Sequence, residues 1–163
     1  MFSTATGVIA SNIGGGSVNL GGWYADWGTN GVADANERAW QVHSDVSDAW
    51  AYSNYSLGFN TQFITTSWYD NSTDGTYYTL ADNRIHLAEA DFNSPDVIRH
   101  EYGHGHHDAV YNNTHWPPGS GGSHWFTGHY TVGLGYTEGY ATYYGNATQG
   151  FEKWYDDNNP GNL

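Results

Sequence analysis

Residues 94–111 carry the feature that most constrains this chain, a helix whose phase is set at its first turn. Ser94-Pro95-Asp96 puts a serine at the cap, a proline at the first helical position and an acid in the first turn. That start places His100-Glu101-Tyr102-Gly103-His104 in the second and third turns, with Val97 and Ile98 as an apolar anchor. His100 and His104 then project from one face, one turn apart. Two imidazoles stacked in this way can share a zinc ion. Glu101, one step round the helix, can reach a water on that metal and act as general base.

The donors left to complete such a site follow from composition. The chain has 163 residues and no cysteine, so a metal must be held by histidines and carboxylates. That length suits one domain spanning residues 1–163, in which 1–31 is loop-rich and resembles a trimmed boundary. Four Lys and Arg stand against seventeen Asp and Glu, a formal charge of −13. No basic patch can be assembled from so few cations, which excludes nucleic acid and an anionic membrane as partners. No stretch approaches a membrane span, and residues 1–10 lack the basic start and apolar run of a signal peptide. The acidic, lysine-poor composition suits a secreted, extracellular protein whose signal is not present in this chain, and a monomer is expected. Glycine (22), tyrosine (14) and tryptophan (8) are frequent while long aliphatics are scarce, so an aromatic core is expected.

Before the histidine helix, Asp34-Ala35-Asn36-Glu37 has the form of a capping box. Ala39, Trp40, Val42, His43, Val46, Ala49, Trp50 and Ser53 follow at helical spacing and predict a helix to about Asn54, ending before Gly58. His43 lies on that stripe as a core histidine. Phe59 to Tyr69 reads as a strand, and Tyr77–Leu80 and Asn83–Glu89 as two more, with Ile85 and Leu87 on one face of the last. Asp70-Asn71-Ser72-Thr73-Asp74-Gly75 imitates half a calcium loop, but its twelfth position is Ala81, so a polar turn is expected. The fold class predicted is α+β and zincin-like: a small mixed sheet packed on a backing helix and the histidine helix, followed by a third helix.

A catalytic zinc needs a third protein ligand and one open position. His107, three residues after His104, would lie about 5 Å beyond the pair on a continuous helix and miss the metal. Glu138 is the better candidate. It lies in Gly135–Tyr144, which reads as a helix ended by Gly145-Asn146. There Tyr136, Tyr140, Tyr143 and Tyr144 form an apolar stripe, while Glu138, Ala141, Thr142 and Gly145 form a small-residue face able to approach another helix closely. Thr142, one turn beyond Glu138, is placed to hydrogen-bond a ligating histidine.

Two segments, Asp96–His104 with its HExxH pattern and Thr137-Glu138-Gly139-Tyr140-Ala141-Thr142-Tyr143, together resemble the gluzincin metallopeptidases. The resemblance implies zinc held by His100, His104 and Glu138, a backing helix at 34–54, and Arg84–Glu89 as the edge strand that pairs with extended peptide. It implies zinc-dependent hydrolysis of peptide bonds in a peptide or protein substrate, with endopeptidase action expected over exopeptidase. Zinc-bound water is the nucleophile and Glu101 the general base. The oxyanion needs a further donor, for which His124, His129, Tyr130 and Tyr140 are open. His124 is favoured because Ser120-Gly121-Gly122-Ser123-His124-Trp125 is a flexible loop able to fold over the site. Two other classes remain: a zinc-binding module that is silent or blocked by its own tail at 156–163, and a carbohydrate-binding domain suggested by the many Trp and Tyr.

Overall fold

The stripe beginning at Ala39 folds as helix α1, Ala35–Ala51, and continues through one π-helical turn, Tyr52–Ser56. Gly58, at φ +66°, then turns the chain out of helical geometry. The structure, a computed structural model, describes residues 35–61, 64–69, 72–73, 75–112, 116–124 and 128–150. The capping box at Asp34, the calcium-like turn at 70–74 and the tail at 156–163 lie outside these, wholly or in part.

Three short strands form a mixed sheet in the order β1-β3-β2. β1, Thr65–Ser67, runs parallel to β3, Arg84–His86, and β2, Tyr77–Thr79, pairs antiparallel with β3. This corrects two expectations. Among the described residues the strand predicted over Phe59–Tyr69 is confined to Thr65–Ser67, and Ser53 Oγ donates to the Phe59 carbonyl at 2.7 Å, which binds the start of that stretch to the π-helical turn instead. Arg84–Glu89 is no edge either. Ile85 lies opposite Thr66 on one side and Tyr78 on the other, so β3 is central and, among the described residues, β1 and β2 are the edges.

After the sheet, a 3₁₀ turn, Glu89–Asn93, leads into α2, Pro95–Val110, with Ser94 at the cap, Pro95 in the first turn and Asp96 beside it. α3 spans Val132–Gln149. Thr131 caps it by accepting from Leu134 N at 3.1 Å, and Gly150 ends it at φ +69°. It runs on past Gly145, where a stop is predicted from sequence. Gly145 serves the crossing with α2: a Cβ there would stand 3.2 Å from both Asp96 O and His100 N. Gly103 does the same from α2, since its Cβ would meet Ala141 Cα at 2.9 Å. The two helices therefore touch backbone to backbone beside the histidines.

Among the described residues the core joins aliphatic side chains to an aromatic set that includes Trp50, Tyr52, Trp68, Tyr78, Phe92 and Tyr140. Ile64, Ile85, Leu87 and Ile98 fill the sheet side with Val42 and Ala49, while Tyr102 and Tyr144 stack at 5.9 Å where the helices cross. Tyr144 OH donates to Ala49 O at 2.6 Å, joining α3 to α1. Arg99 Nη2 lies 2.9 Å from both Asp45 Oδ1 and Asp48 Oδ2, joining α1 to α2 next to His100. Among the described residues no helix is long and apolar enough to cross a membrane.

Candidate metal centre

Because α2 and α3 approach so closely, Glu138 reaches over the two histidines. His104 Nε2 is 3.1 Å from His100 Nε2, and Glu138 Oε2 is 3.2 Å from His100 Nε2 and 3.4 Å from His104 Nε2. Tetrahedral zinc with nitrogen and oxygen ligands at about 2.0–2.1 Å requires donor–donor separations of about 3.3–3.4 Å. The donor triangle therefore matches zinc in both size and chemistry. Among the described residues His100, His104 and Glu138 form the one group found that could hold a metal ion.

Supporting contacts set the tautomers and charges. His100 Nδ1 lies 3.2 Å from Thr142 Oγ1. With Nδ1–H donated to that hydroxyl, Nε2 keeps its lone pair for a metal. Burial pushes the Glu138 carboxyl upward, but the hydrogen bonds and charges of His100 and His104 outweigh it and hold the group well below the usual carboxylate range. Burial likewise pulls His104 down, and is outweighed by the Glu138 hydrogen bond and the Glu101 and Glu138 charges, for a net upward shift. Carboxylate and imidazoles thus favour a positive charge between them, which a metal ion supplies.

Glu101 is buried, only 8 % exposed, and lines a cleft of ≈ 880 Å³ together with His104, Glu138 and His124. β2 and the loop 116–124 complete its lining. His124 Nε2 is 3.0 Å from Glu138 Oε2, and its Nδ1 is 3.1 Å from Gly122 O. Both ring nitrogens face acceptors, so His124 is set as a donor beside the third ligand rather than as a member of the donor triangle.

The other histidine and tyrosine candidates are elsewhere. His107 is fully buried against Tyr111, Trp116, Tyr136 and Tyr140. Tyr140 OH pairs with His106 Nδ1 at 2.7 Å. His129 and Tyr130 are exposed, with the Tyr130 ring edge-on to His124 at 6.1 Å. His86 stacks on Tyr77 at 4.6 Å. Trp116 and Tyr78, which no local sequence signal singles out, line the cleft and meet Asp108 only through the tertiary fold.

Residues 41–161, a span that contains every residue of the donor triangle, match the family model of the Mycolysin C-terminal domain. The chain belongs to that family. Membership links this mycolysin C-terminal domain to a peptidase; it describes a peptidase-associated domain and assigns no reaction to it. It also overturns the gluzincin assignment expected from Asp96–His104 and Thr137–Tyr143, since the family matched is not a gluzincin catalytic domain. Those segments carry ligand chemistry, and one ligand chemistry recurs on unrelated frameworks. Neither the curated proteins nor the solved structures gave a match.

Proposed function

We propose that this domain binds one zinc ion through His100, His104 and Glu138 and hydrolyses peptide bonds in the cleft above it. The observation that carries the reading is the convergence of the three donors within 4.8 Å, with Glu101 lining the same cleft. Zinc held there supplies Lewis acidity toward a carbonyl and lowers the pKa of water toward neutrality. Glu101 accepts the proton of the attacking water and returns it to the leaving amine. His124, at the cleft rim, turns its Nε2 from Glu138 Oε2 to donate a hydrogen bond to the oxygen that gains charge. β2, an edge strand among the described residues, lines the cleft and presents its outer side to an extended chain, which favours endopeptidase action on a peptide or protein. The acidic chain acts outside the cell, as a monomer, and takes neither nucleic acid nor membrane as partner.

One observation favours a second reading, a zinc-binding module without turnover: the family is that of a peptidase's C-terminal domain. Glu101→Gln separates the two. Under the first reading the wild type cleaves a quenched peptide or casein, and the variant loses at least about a hundredfold in kcat while keeping zinc and fold. A wild type that holds zinc yet cleaves nothing across pH and salt decides for the second.

A further inference from the structure

Asp108 lies one turn beyond His104 on α2, and the metal chemistry does not use it. Its carboxylate is buried, 3 % exposed, and two of the donors that approach it come from separate segments. Trp116 Nε1 donates to Oδ1 at 2.9 Å, and Tyr78 OH donates toward Oδ2 at 3.1 Å. Tyr78 belongs to the edge strand β2, and Trp116 opens the loop that carries His124; both residues line the cleft. The two segments that bound the cleft are thereby fastened to the same carboxylate, on the helix that also carries His100 and His104.

We propose that Asp108 is a positioning residue that fixes the width of the cleft by holding β2 and the 116–124 loop to the histidine helix. The proposal rests on the reading that a peptide chain occupies this cleft. A carboxylate is an acceptor at both oxygens, which suits two donors arriving from different segments. Hydrogen bonds to an ionised acceptor are about twice as strong as neutral ones. Burial, and after it the Asp108 charge, push the Tyr78 phenol well above its usual range, so the hydroxyl keeps its proton and remains a donor. Asn83 Oδ1, 2.8 Å from the same hydroxyl, shares it from the turn between β2 and β3. On the α2 side the Tyr78 ring lies against Gly105, where a Cβ would stand 3.1 Å from Tyr78 Cε2. The Trp116 ring sits 6.0 Å from the His104 ring and edge-on to His107 at 5.1 Å. A loosened tether would thus move the cleft lining without removing a ligand.

The test uses the zinc-loaded full chain and Asp108→Asn, which keeps the shape and turns one acceptor into a donor facing a donor. In the ¹⁵N spectrum the Trp116 indole N–H resonance, assigned by its loss in Trp116→Phe, moves upfield. KM for an eight-residue peptide rises about tenfold, the loss expected for one charge-assisted hydrogen bond, while kcat and zinc content hold. KM for a blocked dipeptide, which touches only the centre, stays the same. Tyr78→Phe and Trp116→Phe each remove one donor and leave Asp108 in place, so they carry the test if Asp108→Asn does not fold. An unmoved indole resonance in Asp108→Asn overturns the proposal, as do unchanged KM values in both single-donor variants or equal KM changes for long and short substrates. The resonance needs no turnover. A wild type that hydrolyses nothing therefore sinks the peptidase reading by itself and leaves the tether to be decided by the spectrum.

Discussion

Replacing Gly103 by alanine sets two opposed effects against each other at the centre of the site. Alanine is favoured over glycine inside a helix by about 1 kcal/mol. Against this, the new Cβ would stand 2.9 Å from Ala141 Cα, 3.0 Å from Ala141 O and 3.1 Å from Tyr144 Cβ. Carbon contacts relax to about 3.5–4.0 Å, so α2 and α3 must part by roughly 0.6–1 Å. Overpacking costs about 1–3 kcal/mol, and the upper part of that range applies because two of the three atoms met are backbone. The variant is therefore destabilised by about 1–2 kcal/mol net. Ala141 lies one turn from Glu138, so the separation is carried into the donor triangle and zinc affinity falls about 10–100-fold. Urea denaturation of the metal-free protein reads the first effect, and competition with a chromophoric chelator reads the second. Adding Ala141→Gly does not rescue the variant, since the atoms met are the Cα and carbonyl oxygen of Ala141 and not its side chain. A Gly103→Ala protein that is more stable, with unchanged zinc affinity, refutes the close-crossing argument.

Two further outcomes follow from contacts near the site. Thr142→Val removes the hydroxyl 3.2 Å from His100 Nδ1 and is expected to lower zinc affinity about tenfold or more, with Thr142→Ser restoring most of it, in the same chelator competition. His106 is held neutral in the fold: burial, and then the nearby His107 charge, pull it from 6.5 down to about 4. A depressed pKa means the unfolded chain binds the extra proton first, so this contribution is complete above about pH 6.5 and is lost as pH falls through about 4. Between pH 7 and 4.5 the metal-free wild type should lose about 2 kcal/mol more stability than His106→Asn, measured by denaturant titration at each pH. Parallel losses in the two proteins would contradict the neutral, buried state of His106.

Local signals made part of this architecture legible. Ser94-Pro95-Asp96 marks the start of α2 because a first-turn proline and acid are local signals, although Ser94 makes no side-chain cap hydrogen bond, and that start sets the phase of His100 and His104. The small face of α3 singles out Glu138 because close approach of two helices needs small side chains, and Ala141 is fully buried at the crossing with Gly103. The sheet was much less legible. Strands of three residues carry almost no alternation, and the central place of β3 depends on its pairing with Thr65–Ser67, far away in sequence. Gly145 looks like a helix stop to local rules and is instead a contact point with α2. The Asp108 tether has no local signature at all, since Tyr78 and Trp116 meet it only in the folded chain. Family membership is not legible for a related reason: the short HExxH and Thr137–Tyr143 segments report which donors converge, and not which framework carries them.

The zinc centre is tested most directly by the metal content of the purified full chain after equilibration with zinc and removal of excess. About one zinc per chain is expected, falling sharply in Glu138→Ala and holding in His107→Ala. A chain that retains no zinc, or one that loses it with His107→Ala and keeps it with Glu138→Ala, contradicts a centre built from His100, His104 and Glu138.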